Sequence, residues 1–198
     1  MFEHPLNSTP SAAPRTLTNA ELASRIQSTN VHPAATRDEI IAHVETAAQY
    51  GFDAAMIAMC WVPLAKDILR GTQIRECRAL GADEVDYEPN MGLFLSGMYD
   101  EFRDEAAQLV RAAEGMPIKA MLELGYIKAD ADRRLAARLL DEGGLPWVKN
   151  SSGWGPGSEP ATPENIRLLR ESVSPRCRVK GSGKVNSYEK VMALFEAG

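Results

Sequence analysis

Two lysines each close a short apolar run. Lys149 ends Trp147-Val148-Lys149 and is followed by Asn150-Ser151-Ser152-Gly153, and Lys180 ends Cys177-Arg178-Val179-Lys180 and is followed by Gly181-Ser182-Gly183. A lysine at the end of a buried strand, ahead of small polar residues, is placed to point into the mouth of a sheet. Two ammonium groups facing one cavity repel, and burial also disfavours the charged form; both effects lower a lysine pKa. A neutral amine at pH 7 attacks a carbonyl and forms a Schiff base. The competing arrangement is a pair of strand-end lysines that snorkel to water. Asp86 stands in mid-strand in Glu84-Val85-Asp86-Tyr87-Glu88. A carboxylate there must face a polar cavity or pair with a cation such as Lys119, unless it lies on an outward surface. Glu123, late in Met121-Leu122-Glu123-Leu124, poses the same choice. The GSGK segment, Gly181-Ser182-Gly183-Lys184, offers backbone N–H groups and a cation ahead of a helix, which suits a phosphate. His4, His32 and His43 lack ligand spacing and read as surface residues, so no metal is expected. Ser151 and Ser152 have no histidine nearby, which argues against a serine hydrolase.

The elements that must position these residues alternate. Residues 1–17 are rich in Pro, Ser, Ala and Thr and read as a loose arm, with one domain over 18–198. Thr18-Asn-Ala-Glu21 and Thr36-Arg-Asp-Glu39 are capping boxes, and the second opens a helix with Ile40, Ile41, Val44 and Ala48 on one face and Gly51 as its stop. The runs near 27–31, 54–60, 82–88, 118–124, 147–149 and 177–180 read as strands. Helices are expected over 62–70, 100–114 and 130–142, after Thr162-Pro163-Glu164, and from Asn186-Ser-Tyr-Glu189 to Gly198. Strands alternating with helices of about 10–15 residues mean βαβ units and a parallel sheet, hence an α/β barrel or a doubly wound sheet. Neither GxGxxG nor GxxxxGK[ST] is present, which lowers the odds of a dinucleotide or P-loop fold. In both remaining architectures the site lies beyond the strand C-terminal ends.

Composition limits the classes further. The chain has 198 residues, 44% apolar and 25% charged, with 22 basic and 27 acidic residues and a formal net charge of −5. That is enough for one well-filled domain and gives no electrostatic footprint for nucleic acid. Cys60, Cys77 and Cys177 form no CxxC and fit a reduced compartment. No run reaches the roughly 18 apolar residues of a membrane span. The first residues lack the apolar stretch of a signal peptide, so the expected location is cytoplasmic.

The sequence also resembles the deoxyribose-phosphate aldolase family, class I aldolases on a TIM-type (β/α)8 barrel. The matching stretches are QYGFDAAMIAMCWVPLAKDIL, GADEVDYEPNMGLFLSGMYDEF, PIKAMLELGYI, WVKNSSGWG, ATPENIRLLRESV and RVKGSGKVNS. The resemblance implies that Lys149 is the Schiff-base lysine, Lys180 the second lysine that perturbs it, and Asp86 the carboxylate of the proton relay. It implies a phosphate site from Gly181, Ser182, Gly183 and Lys184, with Ser152 and Gly153 beside it. The implied reaction is reversible cleavage of 2-deoxy-D-ribose 5-phosphate into glyceraldehyde 3-phosphate and acetaldehyde, with no metal or cofactor. The implied partner is a small phosphosugar or aldehyde, and a homo-oligomer is compatible with it. The alternative is a non-catalytic phosphosugar-binding barrel that kept the fold and lost turnover.

Three departures bear on the pocket. Gln27 stands where the family has an acid, Met56-Ile-Ala-Met59 replaces a Cys-x-x-Pro pattern, and Ser182-Gly183-Lys184-Val185-Asn186 replaces Ser-Gly-Gly-Ile-Arg. A complete barrel typically needs about 250 residues. Six strands are legible, and the third and eighth are missing, between Arg75 and Glu76 and after Gly198. The expectation is an incomplete barrel. Either residues are missing from the chain between Arg75 and Glu76, which predicts a gap there far above the ~1.33 Å of a peptide bond, or the chain is a fragment with little activity that tends to associate.

Overall fold

The computed structural model describes residues 17–32, 34–69 and 84–198. Residues 1–16 of the arm, Cys77, the Arg75–Glu76 junction, residue 70 of the expected helix and residues 82–83 of the expected strand lie outside the described residues. The chain divides into two compact units, Met1–Ala82 and Asp83–Gly198.

In the first unit both capping boxes form. Thr18 and Glu21 cap helix α1 (Asn19–Ala23), and Thr36 and Glu39 cap helix α2 (Arg37–Tyr50). Each threonine hydroxyl accepts the N3 backbone N–H while the glutamate reaches back to the N-cap, which satisfies two orphan donors at once. Gly51 ends α2 with φ +66°, a left-handed conformation that costs glycine little. Strands β1 (Gln27–Asn30) and β2 (Ala54–Ile57) pair in parallel, Gln27 opposite Ala54. The helical spacing of Ile40, Val44 and Ala47 buries one face of α2 against Ala65 and Leu69 of helix α3 (Val62–Leu69). The apolar run expected as a strand over 54–60 stops at Ile57, and a 3-10 turn over Met59–Trp61 follows. Pro63 explains this: it favours the first turn of a helix, so the chain has already left the sheet.

The second unit contains a four-stranded parallel sheet in the order β3 (Val85–Tyr87), β4 (Ile118–Met121), β5 (Trp147–Lys149) and β6 (Arg178–Lys180). Helices α5 (Tyr99–Ala112), α6 (Asp130–Glu142) and α7 (Pro163–Ser172) separate the strands, and α8 (Tyr188–Ala197) follows the last. The core gathers Phe102 and Ala106 of α5, Ala136, Leu139 and Leu140 of α6, Leu169 of α7, and Ala120 and Val148 from the sheet. Thr162 caps α7 ahead of Pro163, and Ser187, one residue after Asn186, caps α8. Helix α4 (Met91–Leu95) occupies a stretch that reads as a loop. It is only five residues long, and Pro89, Asn90 and Gly92 hide its two buried anchors, Met91 and Phe94.

The run 118–124 also departs from expectation, since β4 ends at Met121. Glu123 takes φ +44° and opens a 3-10 turn over Leu124–Tyr126. The N–H groups of Leu122 and Leu124 still donate to the carbonyls of Lys149 and Asn150, so hydrogen bonding outlasts the regular strand while the chain bends at Glu123. Gly125 permits the bend, because a Cβ there would lie 2.6 Å from the carbonyl oxygen of Gly157. His43 is not a surface residue: it is half-buried, its Nε2 lies 3.2 Å from the carbonyl oxygen of Ser28, and burial pushes its pKa down. No helix among the described residues is long and apolar enough to cross a membrane.

Candidate active site

Side chains alternate between the two faces of a strand. On β4 and β5, Ala120 and Val148 enter the core, so Lys119 and Lys149 face the other way, together with Asp86 of β3 and Lys180 of β6. The register sets Asp86 opposite Lys119, and Lys149 opposite Lys180. One carboxylate thus meets three ammonium groups. Lys149 Nζ donates to Asp86 Oδ2 at 2.9 Å, Lys180 Nζ lies 3.7 Å from the same oxygen, and Lys119 Nζ lies 3.6 Å from Oδ1. Lys119 also pairs with Oε1 of Glu84, two residues before Asp86 on the same face.

Neither lysine snorkels outward. The side chains of Lys149 and Lys180 are 7% and 17% exposed, and that of Asp86 is 9% exposed. Charges so far from water need one another, since a buried ion without a counter-charge is strongly destabilising. Burial alone would push the Asp86 carboxyl up, but the ammonium groups of Lys180, Lys149 and Lys119 outweigh it and hold the carboxyl below its ordinary value. Burial pushes Lys180 the other way, to about 8, with the positive charges of Lys149 and Lys119 adding to the effect and Asp86 and Glu84 opposing it. Trp147, two residues before Lys149, lies beneath this group, its ring centroid 5.9 Å from Lys119 Nζ.

The loops beyond β5 and β6 are tied to each other. Asn150 accepts from the Ser182 backbone N–H at 2.8 Å, and its amide donates to the carbonyls of Ser182 and Glu159. Ser152 is spent within its own neighbourhood: its N–H donates to Glu123, and its hydroxyl exchanges hydrogen bonds with the backbone of Trp154. Gly153 (φ +96°) and Gly183 (φ +90°) face each other, a Cβ on the first coming within 3.9 Å of the second. Lys184 takes φ +53° and is exposed, and its carbonyl accepts from the Lys190 ammonium at 2.6 Å. Arg133 fastens the far side, donating to the carbonyls of Leu124 and Ile127 and to the side chains of Glu159 and Asn165.

The structure therefore brings Lys149, Lys180 and Asp86 together and sets Gly181, Ser182, Gly183, Ser152 and Gly153 in two adjoining loops. Gln27 and Met56 belong to the first unit, where the Gln27 amide donates to Asp53 at 3.0 Å. Neither Asn150 and Arg133 nor the pairing of Glu84 with Lys119 is signalled by the sequence pattern. Strand parity could have found Glu84, two residues from Asp86, whereas the other contacts depend on loops whose course no periodicity encodes.

No protein-family model matches the chain. It is 32% identical to the deoxyribose-phosphate aldolase of Caldanaerobacter subterraneus subsp. tengcongensis, across 89% of this chain and 86% of that protein. It is 33% identical to the Thermococcus kodakarensis protein of the same name, across 90% of each. The chain belongs to the deoxyribose-phosphate aldolase family. Members of this aldolase family are lyases, and their fold is shared: an aldolase named QR15 superposes with a TM-score of 0.82 over 90% of this chain and 88% of its own, at 24% identity. The tetrameric deoxyribose phosphate aldolase of Aeropyrum pernix superposes at 0.79 over 91% and 85%, at 23% identity. Among the described residues, six strands, paired in parallel within each unit and interleaved with helices, are consistent with the TIM-type barrel of the family. The alignment with the Caldanaerobacter aldolase is 202 positions long yet holds only 89% of a 198-residue chain, so the relative has residues at positions where this chain has none.

Proposed function

We propose that the protein is a Schiff-base aldolase that reversibly cleaves 2-deoxy-D-ribose 5-phosphate into glyceraldehyde 3-phosphate and acetaldehyde. The observation that carries this reading is the shared carboxylate: Asp86 Oδ2 accepts from the Lys149 ammonium at 2.9 Å, with Lys180 at 3.7 Å, and all three side chains are largely buried. Asp86 is a base placed to take the proton that Lys149 must lose before it attacks. The neutral amine of Lys149 adds to the aldehyde carbon to give a carbinolamine, which loses water to become a protonated imine. That imine draws electrons from the bond between the second and third carbons of the sugar. The bond breaks as the hydroxyl on the third carbon gives up its proton, which releases glyceraldehyde 3-phosphate and leaves an enamine on Lys149. Protonation of the enamine carbon and hydrolysis release acetaldehyde and restore the amine. Asp86, acting through water, carries these protons. Lys180, at about 8, is mostly protonated at pH 7 and gives the site a nearby acid.

The phosphate is assigned to the adjoining loops. Gly153 leaves room for a close approach to the backbone, Gly183 lets its loop pack against Pro160, and Lys184 supplies a cation at the rim. Ser152 and Ser182 shape these loops, because their backbone N–H groups are already engaged. The test is product formation from 2-deoxy-D-ribose 5-phosphate and from unphosphorylated 2-deoxyribose. Acetaldehyde released from the phosphorylated sugar, with at least a tenfold preference in kcat/KM, is the expected result. Equal rates would remove the phosphate site, and tight binding without products would favour a phosphosugar-binding barrel that does not turn over.

A further inference from the structure

We propose that Glu84 is a positioning residue for Asp86: by holding the Lys119 ammonium, it keeps Oδ1 of Asp86 unengaged and able to accept a proton. The inference rests on the Schiff-base reading and adds to it the control of its base. The two oxygens of Asp86 differ. Oδ2 accepts the hydrogen bond of Lys149. Oδ1 is buried and accepts no hydrogen bond from the described residues. Lys119 meets the carboxylate at Oδ1, at 3.6 Å, beyond hydrogen-bond reach. Lys119 is 1% exposed, so water cannot meet its charge, and it pairs with Glu84 instead.

Without the Glu84 charge, the same ammonium would have one carboxylate left within reach, Asp86. A full hydrogen bond from Lys119 to Oδ1 would stabilise the ionised form and make it a weaker base. The charged groups facing Asp86 are Glu84 from its own strand, Lys119 from β4, Lys149 from β5 and Lys180 from β6. The next residue, Tyr87, packs against the core on the other side of β3, and burial raises its phenol well above the ordinary value. Glu84 and Lys119 therefore act on Asp86 with opposite signs.

The test compares Glu84→Gln and Lys119→Met by the pH dependence of kcat, by KM and by melting temperature. In Glu84→Gln the acid limb of kcat is expected to move down by about one pH unit. The plateau should fall about tenfold with KM within twofold, the size of a weakened general base. In Lys119→Met the acid limb should move up. A purely structural pair would lower both melting temperatures and leave the limb in place, and an unmoved limb in Glu84→Gln, or movement of both variants in the same direction, overturns the proposal. If Glu84→Gln does not fold, Glu84→Asp keeps the charge on a shorter arm and should show a smaller downward shift; no shift overturns the proposal. Borohydride trapping of acetaldehyde on the wild type separates the two readings. No adduct on Lys149 removes the Schiff-base reading itself, whereas an adduct with an unmoved limb in Glu84→Gln removes only this inference.

Discussion

The four-stranded sheet of the second unit has two faces built from alternate residues of the same strands. One face presents Ala120, Val148 and Val179 to a core that also takes Phe102, Leu122 and Leu140. The other presents Asp86 together with Lys119, Lys149 and Lys180, whose three ammonium groups lie within 4 Å of its carboxylate. The apolar face gains stability from every methylene removed from water. The charged face works against folding, because each ion loses hydration that its neighbours only partly replace. A chain selected for stability alone would fill both faces with apolar residues. Holding three lysines against Asp86 is the mark of a chemical task, and the apolar face offsets its cost.

The two faces separate most sharply when they are altered one at a time. Lys149→Ala should lower kcat/KM by at least about 1,000-fold, as removal of a nucleophile does, with the melting temperature unchanged or higher. Leu122→Ala should do the reverse. It empties part of a fully buried site, so denaturant unfolding should show a loss of about 2–5 kcal/mol, with kcat of the folded fraction within a few-fold of wild type.

The cost of the charged face has its own signature in pH. Lys180 titrates at about 8 in the folded chain, against 10.5 for an ordinary lysine. Between these values the unfolded chain binds the extra proton, so stability rises with pH across the window and is lowest below about 8. The rise is of order 3 kcal/mol, and Lys180→Met should flatten it in unfolding curves taken from pH 7 to 10.5. The smallest change is at a cap remote from the charges. Ser187→Ala removes the side-chain acceptor for the Lys190 N–H and should cost about 1 kcal/mol, with the same activity profile against pH.

How far this arrangement was legible in the residues follows from the range of the forces involved. Capping boxes, the Thr162-Pro163 helix start and the six strand locations are written in neighbouring residues, and the structure forms all of them. The ends of β2 and β4 were not legible, because an apolar run reads alike whether it continues as a strand or turns under a proline or a left-handed glutamate. Helix α4 was missed because five residues carry too few turns for a period to register. At the site, the strand-end lysines and the mid-strand aspartate stood out as charges in apolar surroundings. That Lys119 would pair with Glu84 beside Asp86, and that Asn150 would tie one loop to the next, depends on strand register and on contacts 32 or more residues apart, which local pattern does not contain.

The central claim is that the charged face holds one reactive amine, Lys149. It is tested most directly by incubating the protein with acetaldehyde and sodium borohydride at pH 7 and mapping the modified lysine by mass spectrometry. A reduced N-ethyl group on Lys149, absent from Lys149→Ala, is the expected result. An adduct confined to Lys180 would assign the nucleophile to the wrong lysine, and no adduct at millimolar aldehyde would contradict the Schiff-base reading altogether.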